Sequence, residues 1–383
     1  MPDALVPSSH QVILGPSLNV HRVARNGRNA EYLSGEEPLL GGVLGALYVQ
    51  GVQAKGLAAV AKHFVLNNQE YARMTTSANV ADRTLFEVYY PPFEATIDAG
   101  VAAFSARNRP RSAVASLRDD PPPSPSWPPL LELFCARLAL LAAWHAPKWP
   151  HAHEATSLTP WLVEPPSAPA VCSYNRINGS QACGDPRVLN AHLRTAMGFR
   201  GWVMSDWWAL RDTSAAAGGV DQDLPGTDGL FTPKRLDHLP NHQSLEAQMA
   251  LRILRGMLMS GAFNRSRCTA GCDCEPFLYQ VNATNSAHVA LARRIGASSA
   301  VLLKNDGGVL PLNVAAARVA LVGSACSARH AINVDHADWM TGDYYVVGGS
   351  GRVVSNRAIS IHDALVQRGV QVMAVTAGCA RFQ

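Results

Sequence analysis

The sequence predicts an α/β protein built on a parallel sheet, with a length that suits a barrel. Short apolar stretches alternate with amphipathic stretches at helical spacing across residues 1–103 and 171–265. Strands that alternate with helices typically form a parallel sheet. A second series of helices and strands begins near residue 286, so we expect a further α/β unit from there to residue 383.

The elements of the first region follow in chain order. The candidate strands are QVILGPSLNV, AAVAKHFV, VCSYNRI and GWVMSDW. The two clearest helices between them are RTLFEVYYPPFEATIDAG and DPRVLNAHLRTAMG. The second of these opens on Asp185-Pro186, which is typical of a helix N-terminus.

The second region has its own elements after a predicted linker at residues 266–285. They are the helix NSAHVALARRIGASS, the strands AVLLKN and RVALVGS, the helix SIHDALVQRG and the strand VQVMAVTAG. The predicted domains are therefore residues 1–265 and 286–383.

A proline-rich segment interrupts the first region at residues 105–170. Thirteen of the 25 prolines in the chain lie between Pro110 and Pro169, in stretches such as DDPPPSPSWPP. Because proline lacks a backbone N–H and disrupts helices and sheets, we expect an irregular insertion here. Joining Phe104 directly to Val171 would give one uninterrupted strand, AGVAAFVCSYNRING.

Composition excludes several classes of function. Charged residues make up 16% of the chain, and the net charge of +4 is spread without a run of Lys or Arg, so nucleic-acid binding is not supported. No apolar run approaches the roughly 20 residues that span a bilayer. The N-terminal stretch MPDALVPSSHQVILGP lacks the pattern of a signal peptide.

Eight cysteines indicate disulfides more than a metal site. Cys172 and Cys183 are close enough in sequence to pair. Cys268, Cys272 and Cys274 form a cluster whose spacing fits no familiar zinc site, so we expect no metal. Disulfides and three Asn-x-Ser/Thr sequons are compatible with a secreted glycoprotein; the sequon asparagines are Asn178, Asn264 and Asn282.

Polar residues suited to catalysis follow several predicted strands. In parallel α/β barrels the carboxyl ends of the strands carry the active site. The residues at such positions are Arg28, Lys62, His63, Tyr174 and Asp206. Taken singly, each has an ordinary structural explanation: Asp206 as a helix cap, Lys62 as half of an ion pair and His63 as a core histidine. The ordered set is more specific than its members.

That ordered set resembles glycoside hydrolase family 3, which contains β-glucosidases and related exo-acting enzymes. The segments that carry the resemblance are LGPSLNVHRVARNGRNAEYLSGEEP, AAVAKHFVLNNQE, CSYNRINGSQACGDPRVLN, GFRGWVMSDWWA and GGVDQDLPG, continued by AVLLKNDGGVLPL and YYVVGGSGRV. They occur in family order over nearly all of the chain outside residues 105–170. The resemblance implies a partial (β/α)8 TIM-like barrel followed by the start of an α/β sandwich domain.

The resemblance also implies residue roles. Asp206 matches the nucleophile of a retaining β-glucosidase, and Trp207 matches the aromatic residue beside it. The positions that line the subsite for the terminal sugar are matched by Arg28, Lys62, His63 and Tyr174. The expected substrate is a β-glucoside or cello-oligosaccharide, and no cofactor is implied, because carboxyl groups alone perform glycosyl transfer.

Two features separate the branches of the family. The stretch KHFVLNNQEYARM has no Pro-Gly-His-Gly, which disfavours the N-acetylglucosaminidase branch, and the Trp after Asp206 disfavours β-xylosidases, which usually have Cys there. The stretch GGSGRV at Gly348–Val353 lacks the pattern of a phosphate-binding loop.

The chain also departs from the family pattern. The first strands of the family's barrel and its acid/base glutamate have no counterpart, so we expect an incomplete chain whose acid/base residue lies beyond residue 383. The alternative to an active β-glucosidase is therefore a catalytically inactive fragment that at most binds sugars. The sequence assigns no oligomeric state.

Overall fold

The computed structural model describes residues 11–99, 170–261, 284–329, 331, 341–349, 352–354 and 358–375. The proline-rich segment, Cys268, Cys272, Cys274, Asn264 and Asn282 lie outside the described residues. The predicted linker does so too, apart from its last two residues, so the division into domains stays a prediction.

The described strands are short. In chain order they are β1 Val12–Ile13, β2 Ala58–Ala59, β3 Ala61–Phe64, β4 Ser77–Ala78, β5 Ala170–Cys172, β6 Arg176–Ile177, β7 Ser180–Gln181, β8 Val203–Ser205, β9 Arg318–Val322 and β10 Gln371–Val375. The main helices are α1 Pro38–Gln53, α2 Pro91–Ala99, α3 Arg187–Ala196, α4 His242–Met259, α5 Ser286–Ser298 and α6 Ile361–Val366. Helices and parallel strands together confirm the α/β class.

Five strands of the first region pair side by side and parallel, while β4, β6 and β7 form a separate small sheet in which β6 and β7 are antiparallel. Strand β1 pairs with β2, β3 pairs with β5, and β5 pairs with β8. Single bridges extend the series by joining Ser17 to Lys62 and Met204 to Gln222. Because these five strands run the same way, their carboxyl ends lie along one edge, as alternating strands and helices predict.

Proline shapes two of the predicted elements. The first predicted strand continues only as the bridge at Ser17, because Pro16 has no N–H to offer a neighbour. The predicted helix at residues 83–100 is divided into the turn Asp82–Thr84, the π-type turn Leu85–Tyr89 and α2, which begins at Pro91. Proline is well tolerated in the first turn of a helix.

One predicted boundary and one predicted strand are wrong. Strand β5 begins at Ala170, so the predicted insertion extends one residue too far. The predicted strand AVLLKN is absent: residues 300–305 form no strand, and Val301 and Leu303 are 77% and 92% exposed. An extended segment needs a hydrogen-bonded neighbour to be stable, and among the described residues none pairs with it.

Helices α1 and α2 pack closely because α1 presents glycines to its neighbour. A Cβ atom at Gly45 would lie 2.7 Å from Leu18 and 2.9 Å from Thr96. The largest core cluster lies beneath these helices and includes Leu18, Phe64 and Phe93. This packing supports the strand that carries Lys62 and His63.

Two features of the sequence acquire structural roles. Cys172 and Cys183 form a disulfide, as their spacing predicts. The sequon residue Asn178 accepts a hydrogen bond from Val80 N–H at 2.7 Å and donates one to Val80 C=O at 2.8 Å. These two hydrogen bonds therefore connect the β6–β7 turn to the backbone of Val80. Within the described part of the chain, no helix is long and apolar enough to cross a membrane.

Candidate active site

Asp206 lies directly after β8, at the carboxyl edge of the parallel strands. Its side chain is 15% exposed. The Oδ1 atom accepts a hydrogen bond from Trp207 N–H at 2.8 Å, whereas Oδ2 is buried and accepts no hydrogen bond from the described residues. The two oxygens of this carboxyl group therefore have different surroundings.

The pKa of Asp206 is lower than that of an ordinary aspartate. Burial by itself would raise this pKa, but the adjoining His63 ring and hydrogen bonds from the Tyr174 hydroxyl and Trp207 N–H outweigh it. The pKa of Tyr174 is raised, first by burial and then by the charge of Asp206, so its hydroxyl keeps the proton that it donates. Asp206 is thus an anion at neutral pH.

His63 is fully buried and fixed through its backbone. Its N–H donates to Asn19 Oδ1 at 2.9 Å, and its carbonyl accepts from Asn19 Nδ2 at 3.1 Å. The ring nitrogen Nε2 lies 3.1 Å from Arg28 Nη2 and 3.2 Å from Asp206 Oδ2. Burial lowers the pKa of His63 to about 4, so the ring is neutral at neutral pH.

Two cations and two further carboxylates surround this centre. Arg28 forms an ion pair with Glu31, and Lys62 Nζ lies 3.6 Å from the other oxygen of Glu31. Arg28 Nη1 is also 3.5 Å from Glu70. Burial would raise the pKa of Glu31, but Arg28 and Lys62 outweigh it, and the pKa is lowered. Glu31 therefore stays ionised and holds both cations.

A second chain of contacts leads to Tyr174. The guanidinium carbon of Arg73 lies 3.8 Å from the centre of the Tyr174 ring, which is a cation–π arrangement. Arg73 is held in turn by Glu70 at 3.0 Å. Glu70 therefore connects Arg28 on one side of the site with the tyrosine that hydrogen-bonds Asp206.

Two indoles border the site. Trp207 is 39% and Trp208 53% exposed. Trp208 has a positive φ of 57°, which is rare for a large side chain. Its N–H donates to Leu224 C=O at 2.9 Å, and its ring Nε1 donates to Thr227 at 3.3 Å. Exposed indole faces of this kind are suited to stacking against a sugar ring.

A further carboxyl group lies on the loop that carries Thr227. The pKa of Asp223 is raised to about 6, first by burial and then by the neighbouring carboxyl of Asp228. Gln222, the residue before it, bridges to Met204 of β8. Asp223 thus follows a bridge beside β8, the strand that Asp206 follows.

The structure brings together the site residues that the sequence singles out. Arg28 contacts His63, and both His63 and Tyr174 contact Asp206. Lys62 is connected to this group through Glu31, and Trp207 donates its backbone N–H to Asp206. Sequence reasoning missed Glu31, Glu70 and Arg73. Their spacing was a usable signal, because Arg28–Glu31 and Glu70–Arg73 are both separated by three positions, a common spacing for ion pairs within a helical turn.

Comparisons with known proteins support the resemblance. Residues 9–107 match the glycosyl hydrolase family 3 N-terminal domain. A β-glucosidase of Rhizobium radiobacter is 31% identical over 83% of this chain and 32% of its own length. An exo-α-(1→6)-L-arabinopyranosidase of Bifidobacterium longum is 27% identical over 97% of this chain and 38% of its own.

Solved structures agree with the sequence matches. The β-glucosidase of Streptomyces venezuelae, crystallised in complex with D-glucose, is 27% identical and superposes with a TM-score of 0.61 over 98% of this chain and 38% of its own. The chain spans about a third of the length of the curated relatives it matches. The predicted resemblance is confirmed: residues 9–107 belong to the N-terminal domain of glycosyl hydrolase family 3.

Proposed function

We propose that this chain carries the nucleophile and the terminal-sugar subsite of a retaining, exo-acting β-glucosidase. The observation that carries the proposal is Asp206: an ionised carboxylate at a strand end, held through Oδ1, with a buried Oδ2 that accepts no hydrogen bond from the described residues. An oxygen in this state is suited to attack an electrophilic carbon. Residues matching the family's subsite surround it.

The proposed reaction has two steps. In the first, an Asp206 oxygen bonds to the anomeric carbon, the bond from that carbon to the leaving oxygen breaks, and the leaving oxygen takes up a proton. In the second, water attacks the anomeric carbon, loses a proton and releases Asp206. We assign the proton donor to no residue of this chain, because none of its glutamates matches the family's acid/base motif.

The surrounding residues support binding and orientation of the sugar. Arg28 and Lys62 are held in place by Glu31, and His63 is fixed by Asn19, so their polar groups are oriented before the substrate arrives. Preoriented donors reduce the entropy that is lost when the transition state forms. Trp207 offers an apolar face beside the nucleophile.

Three further proposals accompany this function. The parallel strands are part of a (β/α)8 barrel, because β1 pairs with β2, because β3, β5 and β8 pair in chain order, and because the site lies at their carboxyl ends. A second, sandwich-like domain occupies residues 286–383. The protein is secreted, because the Cys172–Cys183 disulfide is stable in an oxidising compartment.

Covalent trapping tests the nucleophile. The protein is incubated with a 2-deoxy-2-fluoro-β-D-glucoside bearing a dinitrophenolate leaving group, which departs without a proton donor. Peptide mass spectrometry is expected to show one fluoroglucosyl group on Asp206, and none in the Asp206→Asn variant. A folded protein that remains unlabelled would instead support the inactive, sugar-binding alternative.

The identity of the sugar is tested by changing the glycosyl group of the trapping reagent. The arabinopyranosidase named among the relatives acts on a pentopyranose, and xylosides also lack the hydroxymethyl group of glucose. We expect the glucosyl trap to label the protein faster than the corresponding α-L-arabinopyranosyl or β-xylosyl trap. The reverse order would move the assignment to a pentopyranosidase.

A further inference from the structure

A turn directly after the candidate nucleophile carries the two exposed indoles. Asp206 C=O accepts a hydrogen bond from Ala209 N–H at 3.0 Å, so Trp207 and Trp208 are the central residues of a four-residue turn. Trp208, the third residue of this turn, has a positive φ of 57°. Turns that place a positive φ at their third residue usually have Gly or Asn there. A tryptophan at this position therefore needs an explanation.

Packing of the ring does not supply that explanation. The Trp208 indole is 53% exposed, whereas Ala209 beside it is fully buried. The indole belongs to none of the hydrophobic clusters formed by the described residues. A side chain with a Cβ atom is strained in the left-handed region, and residues held in such conformations are concentrated at functional sites. The strain and the exposure together point to a binding role for this ring.

Two hydrogen bonds fix the orientation of the Trp208 side chain. Its backbone N–H donates to Leu224 C=O at 2.9 Å, and its ring Nε1 donates to Thr227 Oγ1 at 3.3 Å. The ring N–H therefore has a partner within the protein, and the indole presents its apolar surface to a ligand. An aromatic ring that is oriented before binding loses little entropy when a ligand stacks against it.

Trp208 is anchored on the side of β8 opposite the residues of the terminal-sugar subsite. His63 lies on β3 and Tyr174 follows β5, and the strand order is β3-β5-β8. The segment that holds Trp208 follows Gln222, which bridges to β8 on its other side. Asp206, at the end of β8, therefore lies between the two groups. A ring that contacts Trp208 belongs to a different part of the substrate from the terminal sugar.

We propose that the Trp208 indole stacks against the second sugar ring of a β-linked glucose disaccharide whose terminal ring lies at Asp206. This inference rests on the proposed function, from which it takes the position of the terminal sugar. One face of a glucopyranose ring is lined by C–H groups, and an indole face is a large, rigid apolar surface that complements it. Trp207 keeps its place beside the nucleophile, so Trp208 adds a second aromatic surface to the site.

Calorimetric titration with two ligands tests the proposal. They are glucose and thiocellobiose, in which sulfur replaces the linking oxygen so that the disaccharide is not hydrolysed. We expect thiocellobiose to bind about tenfold more tightly than glucose. Trp208→Ala should abolish most of this difference and leave the affinity for glucose unchanged, and Trp208→Phe should retain part of it. The control Leu47→Ala removes an exposed apolar side chain from α1 and should change neither affinity.

Labelling of Asp206 by the fluoroglucosyl trap, measured on the same proteins, separates this inference from the proposed function. A labelled protein that binds both ligands equally, or whose preference for thiocellobiose survives Trp208→Ala, would overturn the inference and leave the proposed function standing. Equal losses of glucose and thiocellobiose affinity in both Trp208 variants would also overturn it, because the residue would then support the fold.

The two remaining outcomes concern a protein that the trap does not label. If its preference for thiocellobiose still depends on Trp208, the second-ring site is supported and the nucleophile assignment fails. If neither ligand binds, the inference and the proposed function fail together.

Discussion

The Nε2 atom of His63 lies 3.2 Å from the Oδ2 atom of Asp206. The same nitrogen lies 3.1 Å from Arg28 Nη2, which is always a donor. Burial lowers the pKa of His63 to about 4, so at neutral pH a neutral imidazole lies between the Arg28 guanidinium and the Asp206 carboxylate. The same ring lowers the pKa of Asp206 and so helps to keep this carboxyl group ionised.

Burial of a neutral His63 makes folding stability depend on pH. Its pKa falls from 6.5 when unfolded to about 4 when folded, so the unfolded chain binds the extra proton between these values. The free energy of unfolding should therefore rise with pH from 4 to 6.5, by up to about 3 kcal/mol from this residue. Urea unfolding across this range measures the slope.

The matched variants are His63→Gln and His238→Gln. Replacing the buried imidazole should flatten the pH dependence, whereas replacing the exposed His238 should leave the slope as in the wild type. Equal slopes in all three proteins would show that His63 is not held neutral.

The Glu31 carboxylate should be important for stability because two cations share it. Its side chain and those of Arg28 and Lys62 are mostly buried. Glu31→Gln removes the charge and leaves only the partly exposed Glu70, 3.5 Å from Arg28, to balance the two cations, so we expect a loss of about 3 kcal/mol in the free energy of unfolding. Urea denaturation measures this loss.

Glu87→Gln is the comparison for that variant. Glu87 pairs with Arg83 at 2.8 Å, but both side chains are largely exposed. An exposed pair contributes less than about 1 kcal/mol. If the two substitutions destabilised the protein equally, the Glu31 cluster would be no more important than a surface ion pair.

The Cys172–Cys183 disulfide should contribute through the loop it closes. The two residues are 11 positions apart. Restricting a loop of this length in the unfolded chain stabilises the folded state by about 3 kcal/mol. The double variant C172S/C183S should lose this amount in urea unfolding without reductant. The control Cys326→Ser removes the free cysteine among the described residues and should change little.

Sequence patterns were sufficient for the parallel strands and for the position of Asp206, because both depend on short-range alternation and on the common direction of the strands. They could not predict that Arg194 and Arg252 share the Asp221 carboxylate, since the two arginines are separated by 58 positions and meet only when α3 packs against α4. The pairing of Glu31 with two cations could not be predicted for the same reason, because Lys62 reaches Glu31 from β3. The predicted strand at residues 300–305 was wrong because apolar composition does not supply a neighbouring strand.

The left-handed backbone of Trp208 predicts an unusual substitution pattern. At a φ of 57°, any residue with a Cβ atom is strained by about 1–2 kcal/mol, and glycine is not. Trp208→Gly should therefore be more stable than Trp208→Ala by about 1 kcal/mol, since both lose the same indole contacts. Trp207 does not have a positive φ, so there the order should reverse and the alanine variant should be the more stable. Thermal unfolding of the four variants measures both differences. If glycine proved worse than alanine at both positions, the left-handed conformation of Trp208 would be wrong, and with it the placement of this indole beside the nucleophile.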